Sequence, residues 1–291
     1  MVRKRKGGLF LVKMIGVIGA GTMGNGIAQV AAEAGYQVIL IDIDKKYVQV
    51  GLDAIKKNLH SKVTKGKMEE AQEILSRIHG MHDLSKFDVF IEAIIEKMEL
   101  EMEIYKRFDS ICKESTVLAS NTSVLSISEI AGSTNRSDKV LGMHFFNSVL
   151  VMELVEIIKG SHTSEESIQL NSNLVDRLGK KSIFVNEAPL FVVNRILASM
   201  LNEAIFLRYE GTASAEEIDQ AMMLGANHPI GPLALADLIG LGTLLYVIET
   251  LFSETADSKY RPCPLLKKLV RAGHLGKKSG IGFYSYPYFR D

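Results

Sequence analysis

Short, β-branched apolar runs alternate with longer segments of helical period through the first half of the chain. Ile15 to Ile18 reads as a buried strand, Met23 to Ala34 as a helix and Gln37 to Ile41 as a second strand, which together make a βαβ unit. Residues 45 to 80 carry a helical pattern with a charged face (Lys56, Lys57, Lys62, Lys65, Lys67) and predict a helical hairpin that projects from the sheet. Apolar strands return at Val89 to Ala93, Val117 to Ala119 and Val140 to Phe146, and Val151 to Ile158 and Ser182 to Val185 extend the set. Such alternation implies a mostly parallel sheet covered by helices on both faces, the α/β doubly wound architecture. After Pro189 the pattern changes. Ile196, Leu197, Met200, Leu201, Ala204 and Ile205 recur at helical spacing and β-rich runs disappear, so residues 1–188 read as one domain and 189–291 as a second, all-α domain. Within the latter, Ser214 and Glu217 form a capping box ahead of Ile218 to Leu224, Gly225 stands where a C-cap glycine belongs, and residues 231 to 251 repeat the apolar pattern.

Composition narrows the class. A chain of 291 residues with 47% hydrophobic content can bury a sizeable core. Its 34 basic residues balance 34 acidic ones, so no overall field recruits nucleic acid or an acidic membrane. Cys112 and Cys263 lie far apart without zinc-type spacing, which fits a reducing, cytoplasmic setting. The basic start, Arg3 to Lys6, followed by apolar Leu9 to Ile18 mimics a signal peptide, but that run leads into a glycine-rich turn that needs a buried strand before it. Met14 is a second candidate start, which makes residues 1 to 13 an extension to which no function attaches.

Gly19, Gly21 and Gly24 form G-x-G-x-x-G between the first strand and the first helix. The first permits the tight turn, the second lets backbone approach a pyrophosphate, and the third permits close helix packing, while the helix N-terminus faces the phosphates. Asp42 ends the next strand 18 residues after Gly24, near the spacing of roughly 20 at which an acid binds the adenosine ribose hydroxyls. The combination reads as a Rossmann-like dinucleotide-binding domain with Ala20, Thr22 and Met23 in the turn. Asp42 favours NAD over NADP, because its carboxylate would repel a 2′-phosphate; Lys45 and Lys46 follow closely and would partly offset that repulsion. Ser120-Asn121-Thr122-Ser123 follows a strand and so falls at the carboxyl-end crevice where ligands bind. Oxidation of a secondary alcohol needs a group to take the hydroxyl proton, and His144 suits that role, with Glu156 on the neighbouring strand as the acid that orients it. Taken alone, a strand histidine is more often structural. His79 and His82 are close in sequence but bring no further metal ligands with them, so no metal is expected.

These residues resemble the L-3-hydroxyacyl-CoA dehydrogenases, and bacterial 3-hydroxybutyryl-CoA dehydrogenases in particular. The likeness runs nearly full length, from Val17-Ile18-Gly19-Ala20-Gly21-Thr22-Met23-Gly24 to Gly280-Ile281-Gly282-Phe283-Tyr284. Between these lie Gly142-Met143-His144-Phe145-Phe146-Asn147, Leu154-Val155-Glu156, Val192-Val193-Asn194-Arg195 and Gly231-Pro232-Leu233. The resemblance implies reversible NAD-dependent oxidation of a short-chain 3-hydroxyacyl-CoA, with His144 as base or acid, Glu156 orienting it, and Ser123 and Asn194 around the reacting oxygens. It further implies Glu96, Ser123, Asn147 and Lys278 as cofactor contacts, Asn58 and Lys65 as CoA contacts, and a homodimer through the helical domain. The chain departs from the pattern at Ser148 and Leu150, where prolines are usual, and at Leu190, where glycine is. It departs again at Gly242 for an aspartate, Val124 for a serine, and Glu101 for a cofactor-proximal lysine. A binding homologue with little catalysis, or a dehydrogenase for another hydroxyacid, is the competing reading.

Overall fold

The computed structural model describes residues 12–63, 68–80 and 87–287. The chain divides into two compact units, Met1–Glu187 and Ala188–Asp291.

The first unit runs β1 (Met14–Ile18), α1 (Thr22–Glu33), β2 (Gln37–Ile41), α2 (Lys45–Val63), α3 (Met68–Ser76), β3 (Ile78–Gly80) and β4 (Val89–Glu92). It continues with α4 (Met98–Ile111), β5 (Val117–Ser120), α5 (Ile127–Gly132), β6 (Val140–Phe145), β7 (Leu154–Lys159), α6 (Glu165–Arg177) and β8 (Lys181–Asn186). The eight strands form one sheet in the order β3-β2-β1-β4-β5-β6-β7-β8, parallel throughout except between β6 and β7. The apolar runs that announced the strands are unbroken because both faces are covered. Ile15, Val17, Val38, Leu40, Val89 and Ile91 point, at period two, into a core completed by Ile27 and Ala31 of α1. The intervening Phe90 faces the other side, stacked on Phe108 at 4.2 Å and edge-on to Tyr105 at 6.2 Å, both from α4. Each such fully buried side chain contributes about 1.5–3 kcal/mol. β1 is flanked by β2 and β4, so strand order reverses there and opens a crevice beyond the carboxyl ends.

In the first unit three expectations change. The α2–α3 hairpin does not simply project: Ile55, Leu59, Ala71 and Ile74 are buried in the core, and both helices pack on α1. The stretch read as purely helical to residue 80 ends in an edge strand, β3. β7 begins at Leu154, because Val151 and Met152 lie in a turn, 74% and 43% exposed.

The second unit is helical: α7 (Val193–Glu210), α8 (Ala215–Gly225), α9 (Pro232–Ile239), α10 (Leu241–Thr255) and α11 (Pro264–Arg271). α7 packs against the other four. The Ser214–Glu217 capping box forms in both directions. Gly225, however, is the last helical residue rather than a left-handed cap, and Asn227 takes the positive φ instead, at 56°. Buried Asp219 accepts the Leu233 and Ala234 N–H groups at the start of α9, and buried Asp237 accepts those of Phe283 and Tyr284, which ties down the final described segment. Among the described residues no single helix is long and apolar enough to cross a membrane; α9 and α10 would pass only together, bent by 97°.

Candidate active site

The carboxyl ends of β2, β1, β4, β5 and β6 fall side by side along one edge of the sheet. Most residues singled out by motif in the first unit follow one of them.

Gly19 leaves β1 with φ +91°, a region that costs other residues roughly 1–2 kcal/mol, and a side chain there would strike the Ala93 carbonyl. At Gly24 a Cβ would meet the Gly19 carbonyl, so only glycine lets α1 sit against the turn. Gly21 differs. Nothing lies within 4 Å of where its Cβ would be, and it begins α1 without a side-chain cap. Open space over uncapped N–H groups, at the positive end of a helix dipole, is suited to an anion. Ala20 is buried in the turn, and Thr22 lies exposed beside Met23 at the helix start. Asp42 sits just beyond β2, where Oδ2 accepts the Ala20 N–H at 2.7 Å and Oδ1 accepts that of Ile43 at 2.7 Å. These residues fit a dinucleotide, with α1 to hold the pyrophosphate and Asp42 a ribose.

β4 and β5 pair with Glu92 opposite Ser120, and the polar segment after β5 is anchored on three sides. Glu96 Oε1 accepts the Thr122 hydroxyl at 3.0 Å, the Ser123 N–H at 2.5 Å and the Ser123 hydroxyl at 2.9 Å. Asn121 Oδ1 accepts the Phe145 N–H at 3.0 Å, one residue from His144. Ser120 Oγ donates to Glu92 Oε2 at 2.8 Å and accepts the Thr122 N–H at 3.1 Å. Glu101 is not a surface charge. It is 1% exposed, and burial together with the Glu92 charge pushes its pKa up to about 10. Burial likewise pushes Glu92 up.

The antiparallel register sets His144 directly opposite Glu156, and His144 Nδ1 lies 2.7 Å from Glu156 Oε2. Both side chains are buried, at 5% and 0% exposure, and the Phe146 ring lies 4.4 Å from the imidazole. A carboxylate on one ring nitrogen fixes the orientation of the imidazole.

Asn147 is exposed just after β6. The following segment is ordered without the two prolines. Buried Val149 packs over Gly26 of α1, and Lys180 Nζ donates to the Val149 and Met152 carbonyls at 2.6 and 2.8 Å. Burial holds the Lys180 ammonium below its ordinary pKa. Asn58 is half-buried on α2 and donates to Gln29 Oε1 at 3.3 Å, so α1 already engages it; Lys65 and His82 lie outside the described residues.

In the second unit, half-buried Asn194 occupies the first turn of α7, and Lys278 is exposed in a short 3-10 turn, Lys277–Ser279. Leu190 does adopt positive φ, 62°, with its side chain fully buried. The strain of roughly 1–2 kcal/mol is offset by burial worth about 1.5–3 kcal/mol. Gly242 lies in the first turn of α10, where an added Cβ would meet only Leu275 within 4 Å among the described residues. No group of three or more His, Cys, Asp or Glu side chains able to hold a metal occurs among the described residues.

Sequence reading pointed to His144 and Glu156, and the family resemblance to Ser123 and Glu96; neither pointed to the contacts of Asn121, Glu92 and Lys180, because each is made with a residue distant in sequence.

Residues 14–188 match the NAD-binding domain of 3-hydroxyacyl-CoA dehydrogenase, and residues 191–286 match its C-terminal domain. A probable 3-hydroxybutyryl-CoA dehydrogenase of Bacillus subtilis is 51% identical over 280 residues, covering 94% of this chain and 98% of the relative. The 3-hydroxybutyryl-CoA dehydrogenase of Clostridioides difficile is 49% identical, covering 94% and 99%. The crystal structure of (S)-3-hydroxybutyryl-CoA dehydrogenase from Ralstonia eutropha superposes with a TM-score of 0.93 at 47% identity, over 96% of this chain and 100% of that one. With both domains matched in order and the glycine turn shaped for a dinucleotide, the chain belongs to the 3-hydroxyacyl-CoA dehydrogenase family, NAD-dependent oxidoreductases of 3-hydroxyacyl-CoA thioesters.

Proposed function

We propose that the protein interconverts (S)-3-hydroxybutyryl-CoA and acetoacetyl-CoA in the cytoplasm as a homodimer, with His144 as the proton-transfer residue. The observation that carries the reading is the buried His144–Glu156 pair at a strand end beside the polar Ser120–Ser123 segment. When bound, NAD supplies the hydride acceptor for the carbinol carbon, and NADH the donor in reverse. His144 takes the hydroxyl proton as the alcohol becomes a ketone and returns it to the carbonyl oxygen in reduction. Glu156 holds the imidazole in one orientation and offsets its charge while it carries that proton. Ser123 and Asn194 are assigned to the reacting oxygens, where O–H and N–H donors stabilise developing negative charge. Glu96, Asn147 and Lys278 are assigned to the cofactor, and Asn58 and Lys65 to CoA.

Preference for NAD rests on Asp42, fixed beside the turn where a 2′-phosphate would be repelled. Lys46 gives that phosphate little compensation, since its Nζ pairs with Asp44 at 3.5 Å. The choice of a four-carbon acyl group rests on the relatives named above. The homodimer is supported by exposed apolar side chains on the helical unit, among them Ile196, Leu224, Leu238 and Tyr246.

Initial rates with acetoacetyl-CoA test substrate, cofactor and base together. NADH should support turnover far better than NADPH, and His144→Gln should lower kcat by about 10²–10⁴-fold with NADH affinity retained. Comparable losses in both would remove His144 from the role. Saturable NADH binding without turnover in the unaltered protein would instead favour a binding homologue.

A further inference from the structure

The first turn of α4 lays one acid on another. Glu101 and Glu92 are each 1% exposed and near enough to shift each other's titration, a closeness open to two buried carboxyls only while one keeps a proton. No donor reaches Glu101 Oε2 among the described residues. The titratable groups facing the pair are Glu96 from the loop between β4 and α4 and Tyr105 from α4, both acids. Like charges in contact inside a protein do not both ionise.

We propose that Glu101 is a positioning residue that acts, as a neutral acid, through Glu92: the pair shares one proton and holds the Ser120–Ser123 segment in place for the reaction at His144. This rests on the function proposed above. The hydrogen bonds run in a consistent direction. A proton kept on Glu101 faces Glu92, whose oxygens accept the Ile94 N–H at 2.5 Å and the Ser120 hydroxyl at 2.8 Å. Ser120 Oγ, its proton so directed, accepts the Thr122 N–H at 3.1 Å. The Asn121 N–H donates to the Glu92 carbonyl at 2.8 Å, and the Asn121 side chain grips the backbone beside His144. Loss of the shared proton would put two carboxylates in one buried space and force this end of the segment apart.

The arrangement has a signature that a merely space-filling side chain lacks. Burial raises the Glu101 carboxyl from 4.5 in the unfolded chain to about 10. A folded state that binds the proton more tightly than the unfolded state keeps its full stability below the lower value and loses it steadily as pH rises toward the upper one.

Urea unfolding of the full chain at pH 5 to 9, with no substrate present, is compared for the unaltered protein and Glu101→Gln, which keeps the shape and a donor without the titration. The folding equilibrium constant of the unaltered protein should fall about tenfold per pH unit relative to that of the variant. Parallel curves would overturn the shared proton, and this readout stands whether or not acetoacetyl-CoA is a substrate. Turnover then tests positioning. Glu101→Leu should lower kcat roughly tenfold or more with NADH affinity held, and Glu101→Gln should restore most of it. Equal kcat for Leu and Gln would reduce Glu101 to packing. Should the leucine variant not fold, Ser120→Ala cuts the same line of hydrogen bonds; it should lower kcat while keeping the pH slope, and an unchanged kcat would overturn the proposal.

Discussion

His144 and Glu156 face each other across two antiparallel strands, whereas Glu92 and Glu101 meet where a strand end is covered by the first turn of a helix. Both pairs are buried in the same unit and both set a carboxyl beside a second titratable group. They differ in what the partner can do with a proton. An imidazole can both accept and donate a proton through its ring nitrogens, so its pairing with an acid suits transfer. A second carboxyl in a dry site keeps its proton, so that pairing suits support. Burial alone therefore does not mark a catalytic acid; the chemistry of the partner decides.

Neutralising each pair at its carboxyl should separate the two roles most sharply. Glu156→Gln should lower kcat on the order of 10²–10⁴-fold, because the amide no longer offsets the imidazolium or fixes one tautomer. Glu92→Gln keeps an acceptor for Ser120 but turns an amide NH2 toward the Ile94 N–H, and should cost no more than about tenfold. Equal losses in steady-state assays would erase the distinction. A third buried charge extends the comparison: Lys180 is a cation whose Nζ donates to two backbone carbonyls. Lys180→Met should destabilise the protein by about 1–3 kcal/mol in urea unfolding and weaken NADH binding through the segment after Asn147, with the chemical step at His144 less affected. The smallest expected effect touches none of these groups. Gly242→Ala in α10 meets only Leu275 among the described residues and should stabilise by about 0.5–1 kcal/mol with kcat unchanged, a control for indirect effects.

The strands that carry the site were legible because they are buried on both faces, which makes Gln37–Ile41 and its neighbours continuous apolar runs. β3 escaped because it is three residues long and follows a charged helical stretch, too short for a period to show. Val151 and Met152 were apolar enough to be read into β7, yet a turn leaves them exposed. His144 and Glu156 were each visible as polar residues in apolar strands. Glu101 was visible only as a departure from the family pattern, and its setting was not, since the contact with Glu92 depends on how α4 folds back over β4. Lys180 likewise reads as a helix-end lysine until the carbonyls of residues 149 and 152 are seen around it.

The register of β6 and β7 also limits how the gene can vary. His144 lies opposite Glu156, Phe145 opposite Val155 and Met143 opposite Ile157. Inserting or deleting one residue between these strands, if absorbed by a slip in pairing, would turn every side chain of one strand to the opposite face and set the carboxylate among apolar neighbours. An unpaired buried charge costs roughly 3–5 kcal/mol, a large share of what holds a domain together. Length changes there would be purged as folding defects before they could be tested as changes in activity.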